Sequence, residues 1–219
     1  MLLKLALMKG LFISGSGTDV GKTFIAQKLI CLLSESRQVG VRKPVESACQ
    51  LLGDQLITKD AQALLDVSNV NDTIDVVCPY KFAQCSSGES ASIDSKTVLT
   101  LEDLFNACQS ENYVVVEGAG GLLSPLAQNS LNVDLAVALN LPLVIVVKDE
   151  LGGVNQALLT IKVARQYQLK IACVILNQFE DNALENASAI RRYGACEVVV
   201  YNQNSSVLFE QKIRQLFNV

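Results

Sequence analysis

Short apolar runs alternate along this chain with longer segments in which apolar and polar residues are mixed. The short runs predict buried strands at Leu11–Ser14, Gly40–Arg42, Tyr113–Glu117, Leu143–Val147, Ile171–Leu176 and Val198–Tyr201. The longer segments have helical spacing at Lys22–Ser36, Thr58–Asp66, Thr100–Cys108, Val154–Tyr167, Ala183–Tyr193 and Ser206–Phe217. Apolar residues on consecutive positions, as in Val144-Ile-Val-Val, cover both faces of a strand. The pattern therefore predicts a three-layer α/β domain with a mostly parallel central sheet.

The organisation of the chain predicts one domain over residues 1–219. We find no internal repeat, low-complexity segment or linker that would divide it. The polar stretch Gln84–Ser92 is rich in turn-forming residues and predicts a long loop leaving the sheet. In folds of this class ligands bind beyond the carboxyl ends of the strands, so the residues that follow each strand are candidates for function.

Composition excludes several kinds of chemistry and of partner. The 22 acidic and 18 basic residues give a net charge of −4, which argues against nucleic-acid binding. The sequence has no histidine, which rules out a Ser-His-Asp triad, a Cys-His pair and a His-ligated zinc within this chain. The seven cysteines are scattered and include no C-x-x-C pair, which favours reduced thiols. Two of them, Cys31 and Cys173, lie in apolar stretches and are expected to be buried.

The apolar segments are too short to predict membrane insertion. The N-terminal run Met1–Met8 is shorter than a typical signal sequence and no A-x-A-like cleavage site follows it. The longest uncharged run, Leu135–Val147, contains Pro142 and is too short to span a bilayer. We therefore expect a cytoplasmic protein that does not bind membranes.

The strongest local motif is Gly15-Ser-Gly-Thr-Asp-Val-Gly-Lys-Thr23, between a predicted strand and a predicted helix. This context is typical of a phosphate-binding P-loop, whose backbone N–H groups and helix N-terminus attract phosphate oxygens. In such a loop Lys22 contacts the β- and γ-phosphates and the Thr23 hydroxyl is a ligand of Mg²⁺. The usual first glycine of the motif is Ser16 here. The motif predicts a nucleotide site.

A second motif, Val114-Val-Val-Glu-Gly-Ala-Gly-Gly121, places a carboxylate at the end of a buried strand. Glu117 would be the acidic group beside Mg²⁺, where most such sites use aspartate. The glycines that follow allow the backbone to approach phosphates closely. Asp60, early in the second predicted helix, is a third candidate carboxylate near the metal.

These motifs, in their order and spacing, resemble those of the dethiobiotin synthetase family. The resemblance rests on Gly15–Thr23 and Arg42-Lys-Pro-Val-Glu-Ser47, and it continues through Asp60-Ala61, Pro79-Tyr80, Val116–Gly121, Leu151–Asn155 and Leu176-Asn177. It implies an ATP- and Mg²⁺-dependent ligase that joins CO₂ to 7,8-diaminononanoate. In that reaction a carbamate forms, ATP phosphorylates it, and the second amine closes the ureido ring with loss of phosphate.

The resemblance also implies roles for individual residues. The implied catalytic residues are Lys43, Lys22 and Thr18, and the implied substrate contacts are Thr18, Lys43, Ser47, Gly152 and Asn155. The implied nucleotide contacts are Asp19, Val20, Gly21, Lys22, Thr23, Phe24, Asp60, Glu117, Gly118, Ala119, Gly120 and Asn177. Asn177 matches the asparagine that recognises the adenine edge, and Thr23, Asp60 and Glu117 match the Mg²⁺ neighbours. The loop Leu151–Asn155 matches one that a second subunit contributes, so a homodimer with its site near the interface is implied.

Two other functions remain open from the sequence. An amidoligase of the cobyrinate or CTP-forming type also phosphorylates an oxygen anion, but such enzymes normally carry a glutamine-hydrolysing domain with cysteine and histidine. An ATP-driven switch related to plasmid-partition and division-site ATPases would share the fold, although those proteins place an extra lysine in the phosphate loop. Some of them also bind membranes through a C-terminal amphipathic helix, for which Leu208, Phe209, Ile213, Leu216 and Phe217 are candidates.

Overall fold

The computed structural model describes residues 8–219, and the N-terminal segment 1–7, with most of the run that resembles a targeting sequence, lies outside them. The strands are β1 Gly10–Gly15, β2 Val39–Arg42, β3 Val45–Glu46, β4 Gln50–Leu52, β5 Gln55–Ile57, β6 Tyr80–Lys81, β7 Tyr113–Gly121, β8 Pro125–Ala127, β9 Ser130–Leu131, β10 Leu143–Lys148, β11 Ile171–Gln178 and β12 Val198–Asn202. The helices are α1 Lys22–Leu33, α2 Lys59–Leu65, α3 Ile74–Val77, α4 Gly88–Asp94, α5 Leu101–Ala107, α6 Asn132–Leu139, α7 Gly153–Gln166, α8 Asn186–Gly194 and α9 Ser206–Phe217, with a 3₁₀ turn at Gln203–Ser205.

The central sheet of the described chain has six strands in the order β12-β11-β10-β1-β7-β2, and every neighbouring pair is parallel. These are the six strands that the apolar runs predict, each extended by one to a few residues. The largest extension is in β7, which continues past Glu117 because Gly15 pairs with Gly121 after a shift of register. Strands β1, β2 and β7 therefore end side by side, and the two sequence motifs meet at one edge of the sheet.

Both faces of the sheet are covered by helices, which explains the unbroken apolar runs. Leu143, Ile145 and Val147 of β10 pack into the core beneath α5–α8, whereas Val144 and Val146 pack into the core beneath α1, α2, α3 and α9. Since side chains alternate across a strand, each face of β10 needs an apolar residue at every second position. The three-layer α/β prediction is confirmed.

The structure corrects the interpretation of two segments. The stretch Gln84–Ser92 is not all loop, because α4 begins at Gly88 with Ser87 as its N-cap. A Cβ on Gly88 would lie 2.6 Å from the carbonyl oxygen of Leu126, so the small residues there permit close packing. The uncharged run from Leu135 contains the second half of α6 followed by β10. Helix α6 was not predicted, because a continuous apolar stretch has no periodicity that distinguishes a helix from a strand.

Two further expectations concern the state of the cysteines and membrane insertion. All seven cysteines are free, in agreement with the expected reduced thiols. Cys173 is buried as expected, but Cys31 is exposed because α1 turns its apolar face toward the sheet on the other side. No helix among residues 8–219 is long and apolar enough to cross a membrane.

The apolar face of α9 is used inside the protein, which contradicts the membrane-binding interpretation of this helix. Phe209 and Ile213 are buried in the core beneath α1, and the Phe209 ring meets the Tyr201 ring edge-on at 5.1 Å. The neighbouring Leu208 points outward and is 65% exposed.

We therefore predict that Phe209→Ala lowers the free energy of unfolding by about 3–5 kcal/mol, as is usual for truncating a buried phenylalanine. Leu208→Ala, one position away, is the matched control and should change it by less than about 0.5 kcal/mol. Urea denaturation followed by circular dichroism measures both. Equal effects of the two substitutions would contradict the packing described for α9.

Candidate active site

The phosphate loop connects β1 to α1 and closes over its own lysine. Lys22 Nζ donates a hydrogen bond to the Gly17 carbonyl at 2.9 Å, so the ammonium group lies across the loop. Gly21 adopts a φ of 86°, and a Cβ there would lie 2.1 Å from Nδ2 of Asn177. Glycine is thus required at position 21 by both backbone conformation and space. The loop has the form that the motif predicts.

Lys22 and Lys43 lie close together but differ in the direction in which their pKa values move. Burial lowers the pKa of Lys22, and the nearby positive charge of Lys43 lowers it further. Burial also acts to lower the pKa of Lys43, but the carboxylates of Glu117 and Asp60 outweigh it and the net shift is upward. Lys43 is therefore a permanent cation, while Lys22 is the lysine whose charge is easier to lose.

A cluster of charged groups lies where β2 and β7 end. Lys43 Nζ donates to Glu117 Oε1 at 2.5 Å and lies 3.3 Å from Asp60 Oδ2. The hydroxyl of Thr23 donates to the same Oε1 atom at 2.9 Å. The Glu117 side chain is fully buried and that of Lys43 is 4% exposed, whereas the Asp60 side chain is 46% exposed. The structure thus brings together these four of the residues predicted from the sequence.

The donor set in this cluster fits a magnesium ion bound together with a nucleotide. Glu117 Oε2 is buried and has no hydrogen-bond partner within the described chain, so one carboxylate oxygen remains available beside the Thr23 hydroxyl. No group of three or more acidic or cysteine side chains in residues 8–219 is arranged to hold a metal alone. Mg²⁺ in phosphate-transfer sites typically takes one or two carboxylates and completes its shell with waters and substrate phosphates.

The turn that follows Glu117 is held by a residue that the motifs did not indicate. The buried Asn132, at the start of α6, donates to the Ala119 carbonyl at 2.5 Å and accepts from the Ala119 N–H at 3.1 Å. A Cβ on Gly118 would lie 2.7 Å from Asn132 Oδ1. Gly118 therefore allows the turn to pack closely against the Asn132 side chain.

A cleft of about 840 Å³ opens above the phosphate loop and the charged cluster. The predicted site residues that line it are Thr18, Asp19, Gly21, Lys22, Thr23, Phe24, Lys43, Ser47, Asp60, Ala119 and Gly120. Further lining comes from the segment 85–88 of the predicted loop Gln84–Ser92, and from residues that the sequence did not single out, among them Glu46, Ser124 and Phe179. The cleft is large enough for a nucleotide or a substrate of similar size.

Several predicted residues lie beneath the cleft or away from it. Val20 and Asn177 are buried under the loop, and Asn177 Nδ2 donates to the Val20 carbonyl at 3.1 Å. Glu117 and Gly118 lie below the cleft floor rather than in its lining. Gly152 and Asn155 are exposed at the start of α7 and do not line the cleft.

Aromatic side chains flank the end of the cleft near Asn177. Phe179 follows two residues after Asn177, is 54% exposed and lies close to Gly21. Phe24, on the first turn of α1, meets the Tyr201 ring edge-on at a centroid distance of 5.1 Å. Exposed rings beside a phosphate loop offer an apolar surface to a flat heterocycle. The sequence signal for Phe179 was its position at the end of a parallel strand.

The buried Glu46 is the cleft residue that sequence reasoning missed most clearly. Its carboxylate accepts hydrogen bonds from the backbone N–H groups of Lys59, Asp60 and Ala61 at 2.6, 3.1 and 2.8 Å. Burial raises its pKa, and the hydrogen bonds from Ala61 and Asp60 oppose that rise. Glu46 lies within the stretch Arg42-Lys-Pro-Val-Glu-Ser47, but no pattern in that stretch marks it as a site residue.

Comparison with known proteins gives matches in both sequence and structure. Residues 9–202 match a family model described as an AAA domain. The ATP-dependent dethiobiotin synthetase BioD of Ruthia magnifica subsp. Calyptogena magnifica is 53% identical over 97% of this chain and 100% of its own length. The enzyme of the same name from Rhodopirellula baltica is 34% identical over 83% of this chain and 79% of its own length.

Solved structures of low sequence identity share the fold. A ParA family ATPase from Chlorobium tepidum TLS has a TM-score of 0.57 and 15% identity, covering 97% of this chain and 93% of its own. The septum site-determining protein MinD of Pyrococcus horikoshii OT3, complexed with Mg-ADP, has a TM-score of 0.55 and 14% identity, covering 96% and 89%. At such identity the likeness concerns the fold alone.

The lowered pKa of Lys22 generates a prediction about proton uptake. Because its pKa is lowered, Lys22 loses its proton at a lower pH than an ordinary lysine, and bound phosphates favour its charged form, so MgATP binding at alkaline pH should take up protons. Titration calorimetry in two buffers of different ionisation enthalpy measures that uptake. The uptake should become smaller as the pH is lowered, because Lys22 is then increasingly charged before the nucleotide binds.

Lys22→Arg is the matched control, because an arginine stays charged over this range. Its binding enthalpy should not depend on the buffer at any of these pH values. If the wild-type enthalpy is equally independent of the buffer throughout the alkaline range, the assignment of a lowered pKa to Lys22 is wrong.

Proposed function

The chain belongs to the family of ATP-dependent dethiobiotin synthetases, ligases of biotin biosynthesis, and from this premise we propose that its cleft joins CO₂ to 7,8-diaminononanoate. The observation that carries the proposal is the Lys43–Glu117 pair at 2.5 Å, in which Lys43 lines the cleft beside the phosphate loop and Glu117 lies beneath the cleft floor. A ligase that phosphorylates an anionic substrate needs cations at the transferred phosphate and near the acceptor oxygen, and this cleft holds both.

The proposed reaction has three bond-forming steps. A neutral amine of the substrate attacks CO₂ and, after losing a proton, becomes a carbamate. A carbamate oxygen then attacks the γ-phosphorus of ATP, and ADP leaves. The second amine attacks the carbamate carbon, phosphate leaves with the oxygen it received, and loss of a proton completes the cyclic urea.

The phosphate loop and its lysine hold the nucleotide in this proposal. The N–H groups between Gly15 and Lys22 face phosphate oxygens, as the loop conformation favours. Lys22, now bonded to the Gly17 carbonyl, exchanges that acceptor for phosphate oxygens when ATP enters. Phe24 and Phe179 flank the base, and Asn177 lies beneath them to bond its edge. The charge of Lys22 offsets the negative charge that accumulates on the transferred phosphoryl group.

In this proposal Lys43 holds the carbamate. It is fixed by Glu117 and Asp60 at the carboxyl end of β2, and its raised pKa keeps it protonated at neutral pH. A cation at this point both attracts the carbamate and stabilises charge during phosphoryl transfer. Thr18 and Ser47, which line the same cleft, offer hydroxyl groups to the diamine or its carbamate.

Thr23, Glu117 and Asp60 would hold the magnesium ion. The unpartnered Oε2 of Glu117 and the hydroxyl of Thr23 supply oxygen atoms, and Asp60 adds a carboxylate at the cleft wall. When bound, Mg²⁺ neutralises phosphate charge as the γ-phosphoryl group is transferred.

Proton transfer must proceed without imidazole from this chain, because the sequence has no histidine. Two protons leave the substrate nitrogens, one for each new C–N bond. Asp19 lines the cleft with an exposed side chain and has no role at the metal, so Asp19 and water are the acceptors we propose.

A homodimer supplies the remaining substrate contacts in this proposal. Gly152 and Asn155 lie at the start of α7, outside the cleft of their own protomer. In a dimer, the N–H groups at that helix N-terminus would face the partner's cleft and bind the substrate carboxylate. Within the protomer, Ser16 Oγ donates to Gln156 Oε1 at 3.3 Å, so the phosphate loop and the start of α7 are in contact.

The direct test offers the purified protein the diamine, isotopically labelled bicarbonate and MgATP. Mass spectrometry should detect a cyclic urea that carries the label, with ADP and phosphate released in equal amounts. Steady ATP hydrolysis on lipid or DNA without any urea would contradict the proposal and favour an ATPase switch.

A second prediction separates the two lysines. Lys43→Ala should lower kcat by about 100-fold to 1,000-fold, the usual effect of removing one charge-stabilising donor, while ATP still binds. Lys22→Ala should lower turnover and also weaken ATP binding by about tenfold or more, because it removes a charge-assisted hydrogen bond. Calorimetry and steady-state kinetics, on variants whose fold circular dichroism has verified, measure both. Normal turnover in Lys43→Ala would show that the role given to Lys43 is wrong.

A further inference from the structure

We propose that Glu46 is a positioning residue that fixes Asp60 on the cleft wall and thereby strengthens magnesium-dependent nucleotide binding. This inference rests on the proposed function, since it concerns the same metal and nucleotide. Glu46 is assigned no contact with substrate or metal. It acts through the backbone of the helix that carries Asp60.

The contact between Glu46 and α2 is specific. Oε1 accepts from the N–H groups of Lys59 and Asp60, and Oε2 accepts from that of Ala61. These are the first three residues of α2, whose N–H groups have no partner inside the helix. Thr58, the residue in the N-cap position, makes no side-chain capping bond, so Glu46 supplies the cap from 13 residues earlier in the chain.

Glu46 also closes the segment of chain that leads to α2. Between Glu46 and Lys59 the backbone leaves the cleft, forms the β4–β5 hairpin and returns. The hairpin exposes Leu51 and Leu52 by 67% and 72%, so it contributes little packing that would fix the start of α2. The hydrogen bonds from the start of α2 to the Glu46 carboxylate hold the two ends of this segment together beside the cleft.

The charge arrangement explains why this cap matters for the site. Asp60 donates one of the three hydrogen bonds from its own N–H to Glu46, and its side chain lies 3.3 Å from Lys43 Nζ. Because the Asp60 side chain is half exposed, little else restrains it. Fixing its backbone therefore fixes the carboxylate opposite Lys43 and Glu117.

Loosening the cap should not unfold the helix. Ala61 and Leu64 of α2 are fully buried and remain packed in the core beneath α1 whether or not Glu46 is bonded. Glu46→Gln keeps the size of the side chain and one strong acceptor, but removes the charge and the second acceptor. It should change the position of Asp60 more than the fold.

The test measures how much Mg²⁺ strengthens ATP binding, as the ratio of Kd in EDTA to Kd in excess Mg²⁺. Glu46→Gln should reduce this ratio by about tenfold, the usual effect of losing a group that orients a metal ligand. Asp60→Asn should reduce it at least as much. The double variant should match Asp60→Asn alone, because Glu46 acts through Asp60.

Asp103→Asn is the matched control for a merely structural effect. Asp103 accepts from the N–H and hydroxyl of Thr100 in the capping box of α5, a helix of seven residues like α2 but away from the cleft. Its substitution should lower Tm to a degree similar to Glu46→Gln and leave the Mg²⁺ ratio at the wild-type value.

The inference is overturned if Glu46→Gln keeps the wild-type ratio, or if its effect multiplies with that of Asp60→Asn. Should Glu46→Gln not fold, Glu46→Asp applies the same test, since it shortens the reach of the carboxylate by one methylene. Formation of the cyclic urea by the wild-type protein is measured on the same preparation. Its absence would contradict the proposed function, whereas the binding ratio tests Glu46 independently of turnover.

Discussion

The buried ion pair between Lys43 and Glu117 is the interaction on which the arrangement of the site depends. Removing either charge from water is costly, and their attraction repays that cost only when hydrogen bonds complete the pair. Thr23 donates to the same Glu117 oxygen, and Asp60 lies on the other side of Lys43. Strands β2 and β7 and the helices α1 and α2 are thereby brought to one point at the carboxyl edge of the sheet.

The same pair explains how a chain without histidine can carry out this chemistry. Neighbouring charges shift the pKa values of the two lysines in opposite directions. Carboxylates next to Lys43 raise its pKa, whereas burial and the nearby Lys43 cation lower the pKa of Lys22. Lys43 stays protonated, and the carboxylates of the protein already neutralise its charge. Within residues 8–219 Lys22 has no such partner, so its charged form is stabilised most when phosphates bind. This division of charge suits an enzyme that must hold an anionic substrate and a nucleotide side by side.

The sequence predicted the sheet well because buried parallel strands have unbroken apolar runs. It also predicted the phosphate loop, because the glycines of the motif permit the backbone conformation that such a loop requires. It did not predict α6, whose apolar run continues into β10. It also gave no sign of Glu46 or Asn132, since each bonds to backbone groups 13 or more residues away. Such contacts depend on how the chain returns to the cleft after a hairpin or a turn. The extent of one domain and the roles of individual site residues stay predictions.

Transfer of oxygen from CO₂ to phosphate tests the central claim, ring closure through a phosphorylated carbamate, most directly. The protein is supplied with bicarbonate labelled with ¹⁸O, the diamine and MgATP, for a time short compared with oxygen exchange between bicarbonate and water. The account predicts that each phosphate released carries one ¹⁸O atom, because the carbamate oxygen that attacks ATP leaves with the phosphate. Unlabelled phosphate, formed together with the cyclic urea, would contradict it.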